Sequence, residues 1–248
     1  MTENRYTDKK YWEHYYQASN IKIDRIKNIV GLYDEYWDKL VSSCKETPKT
    51  IIEIGAYPGR YLAYLSWKYN LQPTALDFNS DTTKIEDCFK SFDVSNYKFI
   101  QTDFLEFTTD KKYDLVISNG FVEHFENFEE VMDRHCDYLL PSGAMLIMIP
   151  NMRYLKKWYA TTLDADNLKI HNLKVMKLQV FRDFATRNNL KIELLTYFGG
   201  FPFTVHQKLN FFQKGIYQVF RRFFKLVNPV IMRYPNRFLS SSIIAIYT

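Results

Sequence analysis

Three carboxylates and one histidine stand where apolar runs give way to polar ones. Glu53 lies in Ile51-Ile52-Glu53-Ile54-Gly55, Asp77 ends Ala75-Leu76-Asp77, and Asp103 follows Phe99-Ile100-Gln101-Thr102. His124 stands beside Glu123 in Ser118-Asn119-Gly120-Phe121-Val122-Glu123-His124-Phe125. A carboxylate at a strand end can accept hydrogen bonds from two neighbouring hydroxyls, such as those of a ribose. An imidazole titrates near neutrality and can take up or release a proton. Any one of these residues alone reads as a surface acid, a helix cap or a packed histidine. Their ordered recurrence after successive apolar runs points to one shared site.

The turn after the first run narrows the ligand. Ile51 to Arg60 reads as a buried strand, a glycine turn at Gly55, and the start of a helix that continues through Tyr64, Leu65 and Lys68. A dinucleotide fingerprint needs glycine at the positions of Tyr57 and Arg60, and a tyrosine side chain there obstructs a pyrophosphate. Nicotinamide and flavin dinucleotides are therefore disfavoured. Cys44, Cys88 and Cys136 are odd in number and lack paired spacing, against a disulfide framework or a zinc cage.

From Thr50 onward apolar runs alternate with amphipathic stretches, the pattern of a parallel sheet wound with helices. Strands are expected at Thr50 to Ile54, Pro73 to Leu76, Lys98 to Gln101, Tyr113 to Ser118, Ala144 to Ile149, Lys191 to Tyr197 and Ser241 to Tyr247. Phe128, Val131, Met132, Cys136, Leu139 and Leu140 recur at helical spacing, and Pro141-Ser142-Gly143 is read as their stop. Another helix is expected from about Lys174 to Asn188. Upstream, Ile23, Ile26, Val30, Tyr33, Trp37, Leu40 and Val41 form a helical stripe. Tyr11, Trp12, Tyr15 and Tyr16 form a second, read either as a packed helix or as a lid. The 248 residues suit one domain, 1–248, with an N-terminal helical cap over 1–48 and an insertion over 200–238 between the last two strands.

Glu53, Gly55 and Gly59 have the spacing acid, one residue, glycine, three residues, glycine. This resembles motif I of the class I S-adenosylmethionine-dependent methyltransferases, in which a third glycine stands where this chain has Tyr57. The resemblance spans roughly Thr50 to Tyr197. It implies an α/β, Rossmann-like seven-stranded sheet of order 3-2-1-4-5-7-6, with the last strand antiparallel and helices on both faces. It implies S-adenosylmethionine as cofactor and S-adenosylhomocysteine as product. Glu53, Gly55, Ala56, Tyr57 and Gly59 would line the turn, Asp77 and Phe78 the ribose, Asp103 and Phe104 the adenine, with Asn119 beyond the fourth strand. It makes His124 the candidate general base, with Glu123 orienting it or touching the cofactor; the alternative is a histidine that caps a loop or packs near Phe128. Relatives that bind magnesium through Glu-x-x-Glu-His carry a glutamate where Gly120 stands, so no metal is expected. Asn119-Gly120-Phe121 also departs from the Pro-Pro-aromatic segment of the amino-methylating nucleic-acid enzymes, and no DNA partner is expected.

The acceptor is expected beyond the fifth strand, where Asn151, Arg153 and Tyr154 are candidate contacts, joined by Tyr15, His171 and His206. The chain looks like bacterial methyltransferases of surface-polysaccharide or sugar modification, which implies oxygen methylation of a small polar, anionic acceptor. Two rivals stay open: an RNA or protein methyltransferase, and a non-catalytic S-adenosylmethionine-binding protein.

Charge is unevenly placed. After Glu193 no acid occurs, so the net charge of +5 divides into +7 for residues 194–248 and −2 for the rest. Within 208–237, Leu209, Phe212, Ile216, Phe220, Phe223 and Val227 repeat at helical spacing among Lys208, Lys214, Arg221, Arg222 and Lys225. This segment reads either as a surface helix for an anionic membrane or as one packed on its own domain or a second subunit. No apolar run reaches membrane-spanning length and no signal peptide opens the chain, so a cytoplasmic protein is expected, peripheral to the inner membrane face if the helix docks there, and monomeric or homodimeric.

Overall fold

The computed structural model describes residues 4–18 and 25–248. Seven strands, β1 (Thr50–Ile54), β2 (Gln72–Asp77), β3 (Lys98–Gln101), β4 (Tyr113–Asn119), β5 (Leu139–Pro150), β6 (Ile192–Phe198) and β7 (Ser242–Tyr247), form one sheet in the order β3-β2-β1-β4-β5-β7-β6. All neighbours are parallel except β7, which runs antiparallel to both β5 and β6. This is the expected Rossmann-like order.

Both faces of the sheet are covered, so its strands are apolar on alternate and on adjacent positions alike. Ile51, Leu115, Ile117, Leu146 and Ile246 pack on one face against Trp37, Leu40, Leu62 and Phe89. These come from helices α3 (Asp34–Ser43), α4 (Arg60–Tyr69) and α5 (Thr83–Lys90), after α1 (Lys9–Ala18) and α2 (Ile26–Val30). Ile52, Ile54, Val116, Met145 and Ile147 pack on the other face against Val131, Met132, Phe181 and Phe184, from α6 (Phe128–His135) and α9 (Leu178–Arg187). A third cluster joins α7 (Leu155–Leu163) to α10 (Phe211–Arg233), with α8 (Ala165–Lys169) in between in sequence.

Three sequence expectations are corrected. The helix from Phe128 ends at His135, followed by one 3-10 turn at Cys136–Tyr138, and Pro141-Ser142-Gly143 lies inside β5. Leu139 pairs with Tyr113, and the ladder resumes at Ala144 opposite Leu115 across an irregularity. Gly143 permits it: a Cβ there would sit 2.4 Å from the Asp114 carbonyl oxygen. Second, the stripe from Ile26 to Val41 is two helices separated by a 3-10 turn at Gly31–Tyr33; Ile23 lies outside the described residues. Third, the helix expected from Lys174 starts only at Leu178, because the Asn172 carboxamide oxygen accepts the Lys174 N–H and holds a turn there.

Candidate active site

The strand order reverses direction between β1 and β4, and the crevice beyond their carboxyl ends is where a doubly wound sheet places a ligand. β1 delivers Glu53 and then turns at Gly55, whose φ of +69° is left-handed and whose Cβ position lies 2.4 Å from the Phe121 ring. Glu53 is buried. Its Oε2 accepts the Leu62 N–H at the start of α4 (3.1 Å), and its Oε1 accepts the Asn119 amide at the end of β4 (2.9 Å). Burial dominates its titration and pushes the carboxyl up to about 8, although Asn119 and Leu62 pull the other way.

β2 ends at Asp77, whose Oδ2 accepts the Tyr57 N–H (3.1 Å) and whose Oδ1 accepts the Asn79 N–H (2.8 Å). Burial raises this carboxyl to about 6, against the backbone donors that lower it. Tyr57 does not obstruct the cleft. Its hydroxyl donates to Asp81 (3.0 Å) and its ring lies 4.8 Å from that of Tyr16. Glu53, Gly55, Ala56, Tyr57, Asp77, Phe78 and Asn119 all line one cleft, and Gly59 ends the turn as the residue before α4.

The cleft is roofed by residues 4–18. Asn4 and Tyr6 bond the backbone at Glu126 and His124, and Trp12 and Tyr16 of α1 line the cleft beneath. In this arrangement it encloses about 70 Å³. The aromatic stripe of α1 therefore does pack, and it packs over the cleft.

Asp103 and Phe104, expected at an adenine, are not among the residues that line the cleft. The Asp103 carboxylate pairs with Arg5 of the N-terminal segment (2.7 Å), and Phe104 is core, edge-on to Phe121 at 5.5 Å. Arg5 itself lines the cleft instead.

A larger pocket of about 420 Å³ opens alongside, sharing Trp12, Arg60, Tyr61, Asn119, Gly120 and His124 with the cleft. The 3-10 turn Val122–His124 buries Glu123 and His124 at their junction. Nδ1 of His124 lies 2.8 Å from the Ile170 carbonyl oxygen, an acceptor only, so Nδ1 carries the hydrogen and Nε2 keeps its lone pair. That Nε2 is 3.7 Å from Oε1 of Glu123, and Trp12 and His171 flank the ring at 4.9 and 4.8 Å. Burial, reinforced by His171, depresses His124 to about 3, and burial raises Glu123 to about 8. Oε2 of Glu123 and Oδ1 of Asn119 are buried without a hydrogen-bond partner among the described residues.

Tyr15, Asn151, His171 and His206 line this pocket as expected. His206 is held by Asp164 at 3.0 Å, and the Asn151 amide donates to the carbonyls of Arg237 and Ser240, each at 2.9 Å. Arg153 and Tyr154 do not line it. Arg153 reaches back to the Met176 carbonyl oxygen (3.3 Å), and Tyr154, at a φ of +53°, packs against Phe238. The cation that enters instead is Lys156, which donates to the Pro202 carbonyl oxygen (2.9 Å) and is lowered to about 8 by burial. The first turn of α7 faces Lys156 inward, whereas Arg153 belongs to the loop before the helix and turns toward Met176. Arg60, already visible in the glycine turn, is the other cation the sequence reading left unassigned.

The arrangement fits an adenosyl sulfonium with an amino-acid tail. Asp77 offers carboxylate lone pairs to vicinal hydroxyls, and Oδ1 of Asn119 is an orphaned acceptor suited to an ammonium group. Glu123, His124 and His171 also place their ligand atoms within 4.8 Å of one another, a spacing that suits a cation as well as proton transfer.

A family model described as "Methyltransferase domain" matches residues 28–215. Among curated proteins no relative matches. Solved structures with the same fold include coclaurine N-methyltransferase bound to N-methylheliamine and S-adenosylhomocysteine, at a TM-score of 0.59 and 12% identity, covering 100% of this chain and 76% of that one. A SAM-dependent methyltransferase from Archaeoglobus fulgidus aligns at 0.56 and 15% identity, covering 95% of this chain and 97% of that one. The plantazolicin methyltransferase BpumL in complex with S-adenosylhomocysteine aligns at 0.50 and 16%, over 90% and 89%. With the family match covering most of the sheet and the cleft built for the same cofactor, this chain belongs to the methyltransferase-domain family and is an S-adenosylmethionine-dependent methyltransferase.

Proposed function

We propose that the protein methylates an oxygen of a small polar, anionic acceptor, a sugar or phosphorylated metabolite of bacterial surface-polysaccharide biosynthesis. S-adenosylmethionine, when bound, supplies the methyl group as an electrophile. The observation that carries the reading is the lone pair on Nε2 of His124, fixed by the Nδ1–H bond to Ile170 and placed where cleft and pocket meet. A hydroxyl bound beside it would give its proton to Nε2 as its oxygen takes the methyl carbon, the carbon–sulfur bond breaking and S-adenosylhomocysteine leaving as the thioether. Trp12 and the roof exclude water, and Tyr11 and Tyr15 offer ring faces on which a sugar stacks. Lys156, Arg60 and His206 supply positive or hydrogen-bonding groups for a phosphate or carboxylate.

The test is a screen of nucleotide sugars and sugar phosphates with labelled cofactor, followed by His124→Ala and His124→Gln on the acceptor found. Turnover should fall about 10²–10⁴-fold while cofactor affinity by calorimetry stays unchanged. Near-wild-type turnover in both variants would remove His124 as the base. The convergence of Glu123, His124 and His171 favours one second reading, a bound divalent cation. Loss of turnover on dialysis against chelator, restored by a single metal, would assign the three to a metal site; under the proton-transfer reading chelation leaves turnover intact.

A further inference from the structure

α10 carries two apolar faces, and only one of them is used. Phe224 and Ile231, with Ile216, Phe220 and Val227 beside them, pack on Tyr159, Leu163 and Phe201. Two polar side chains lock this orientation: Gln213 donates to the Thr162 carbonyl oxygen (2.8 Å), and Asn228 bonds both the N–H and the carbonyl of Phe201 (2.7 and 3.2 Å). The helix cannot roll to bury its other face without breaking these bonds. That face holds Phe212, Val219, Phe223, Leu226 and Val230, in steps of seven, four, three and four residues, between 56 and 81% exposed. It is one continuous outward stripe. The sequence stripe Leu209, Phe212, Ile216, Phe220, Phe223 and Val227 is thereby divided, with Phe212 and Phe223 outward and the others turned toward the domain.

Arg222 and Arg233 flank the stripe, Lys214, Arg221 and Lys225 are exposed farther round the helix, and among the described residues none of the five forms an ion pair. No acid occurs between residues 194 and 248 to offset them. We propose that this face of α10 docks on an anionic lipid surface, burying Phe212, Val219, Phe223, Leu226 and Val230 among the acyl chains while Arg222 and Arg233 meet phosphate head groups and the remaining cations add long-range attraction. The charge decides between occupants. A second copy seated across a two-fold axis would cover the stripe but oppose arginine to arginine without a counter-acid. An RNA would use the cations and leave Val219, Leu226 and Val230 in water. No helix among the described residues is long and apolar enough to cross a membrane, so the contact is interfacial. The segment leading into α10 supplies Pro202, Thr204 and His206 to the larger pocket.

The test is co-sedimentation of the whole protein with vesicles of phosphatidylcholine alone or with about 30 mol % phosphatidylserine, at about 50 mM and about 500 mM salt. Binding is expected only to the anionic vesicles at low salt. The double change Arg222→Glu, Arg233→Glu should weaken it on the order of 100-fold. The triple change Phe212→Ser, Phe223→Ser, Leu226→Ser should abolish pelleting at low salt. All these side chains are exposed, and unchanged calorimetric affinity for S-adenosylmethionine verifies that each variant is folded, whatever the acceptor proves to be. Absence of pelleting at low salt overturns the proposal. So does a concentration-dependent dimer abolished by the serine changes, or RNA binding that the serine changes leave untouched.

Discussion

Asp77 and Glu53 are both buried acids on neighbouring strand ends, yet their roles differ by what remains free on each. Both Glu53 oxygens are occupied, by Leu62 and Asn119, so it fixes the turn and aims the Asn119 side chain. Asp77 receives only backbone donors and lines the cleft, leaving lone pairs for hydroxyls. Asp77→Ala should therefore weaken S-adenosylmethionine binding by about 1.5–3 kcal/mol, read by calorimetry on folded protein. Unchanged affinity would mean that the ribose lies elsewhere. These two acids, with Asn119 and His124, were legible in the sequence because each follows an apolar run whose end must reach the same edge of the sheet. What the sequence did not show at Asp103 is its partner: Arg5, remote in sequence, pairs with its carboxylate. Lys156 and Arg153 could not be told apart, since both belong to one cationic segment and only the start of α7 between them separates loop from helix.

Among the elements, the alternation of apolar runs and amphipathic stretches located all seven strands, because a parallel strand buried on both faces needs a continuous apolar core. The start of β5 escaped because proline, serine and glycine together signal a turn. There they are extended, and Gly143 lets β5 approach the Asp114 carbonyl. Gly143→Ala should push those backbones apart and destabilise the protein by about 1–3 kcal/mol, seen as a lower urea midpoint with an unchanged slope. An unchanged midpoint would show that the ladder yields there without strain.

For the molecule as a whole, buried ionisable groups set a pH dependence. His124, His135 and His171 are depressed to about 3, 4 and 4, each chiefly by burial, so they are neutral when folded and take up protons on unfolding below their ordinary 6.5. Glu53 and Glu123 are raised to about 8 by burial, so the folded state holds protons that the unfolded state releases above 4.5. Between 4.5 and 6.5 the two groups oppose each other. Above 6.5 only the carboxyls act, and their stabilising share is lost as pH rises through about 8. The melting temperature of the free protein should accordingly drop by on the order of 5 °C from pH 6.5 to 8. Glu53→Gln should flatten that slope, and a melting temperature that rises over this interval would refute the assignment.

The roof over the cleft has a kinetic meaning. Residues 4–18 supply Arg5, Thr7, Trp12 and Tyr16 to the wall of the cleft, and Trp12 belongs to the walls of cleft and pocket together. A wall shared in this way couples the two sites, so an acceptor seated against Trp12 meets a surface that the cofactor cleft also uses. Initial-rate kinetics should then show cofactor binding before acceptor, and Trp12→Ala should loosen that order; random-order kinetics in the unmodified protein would count against the coupling.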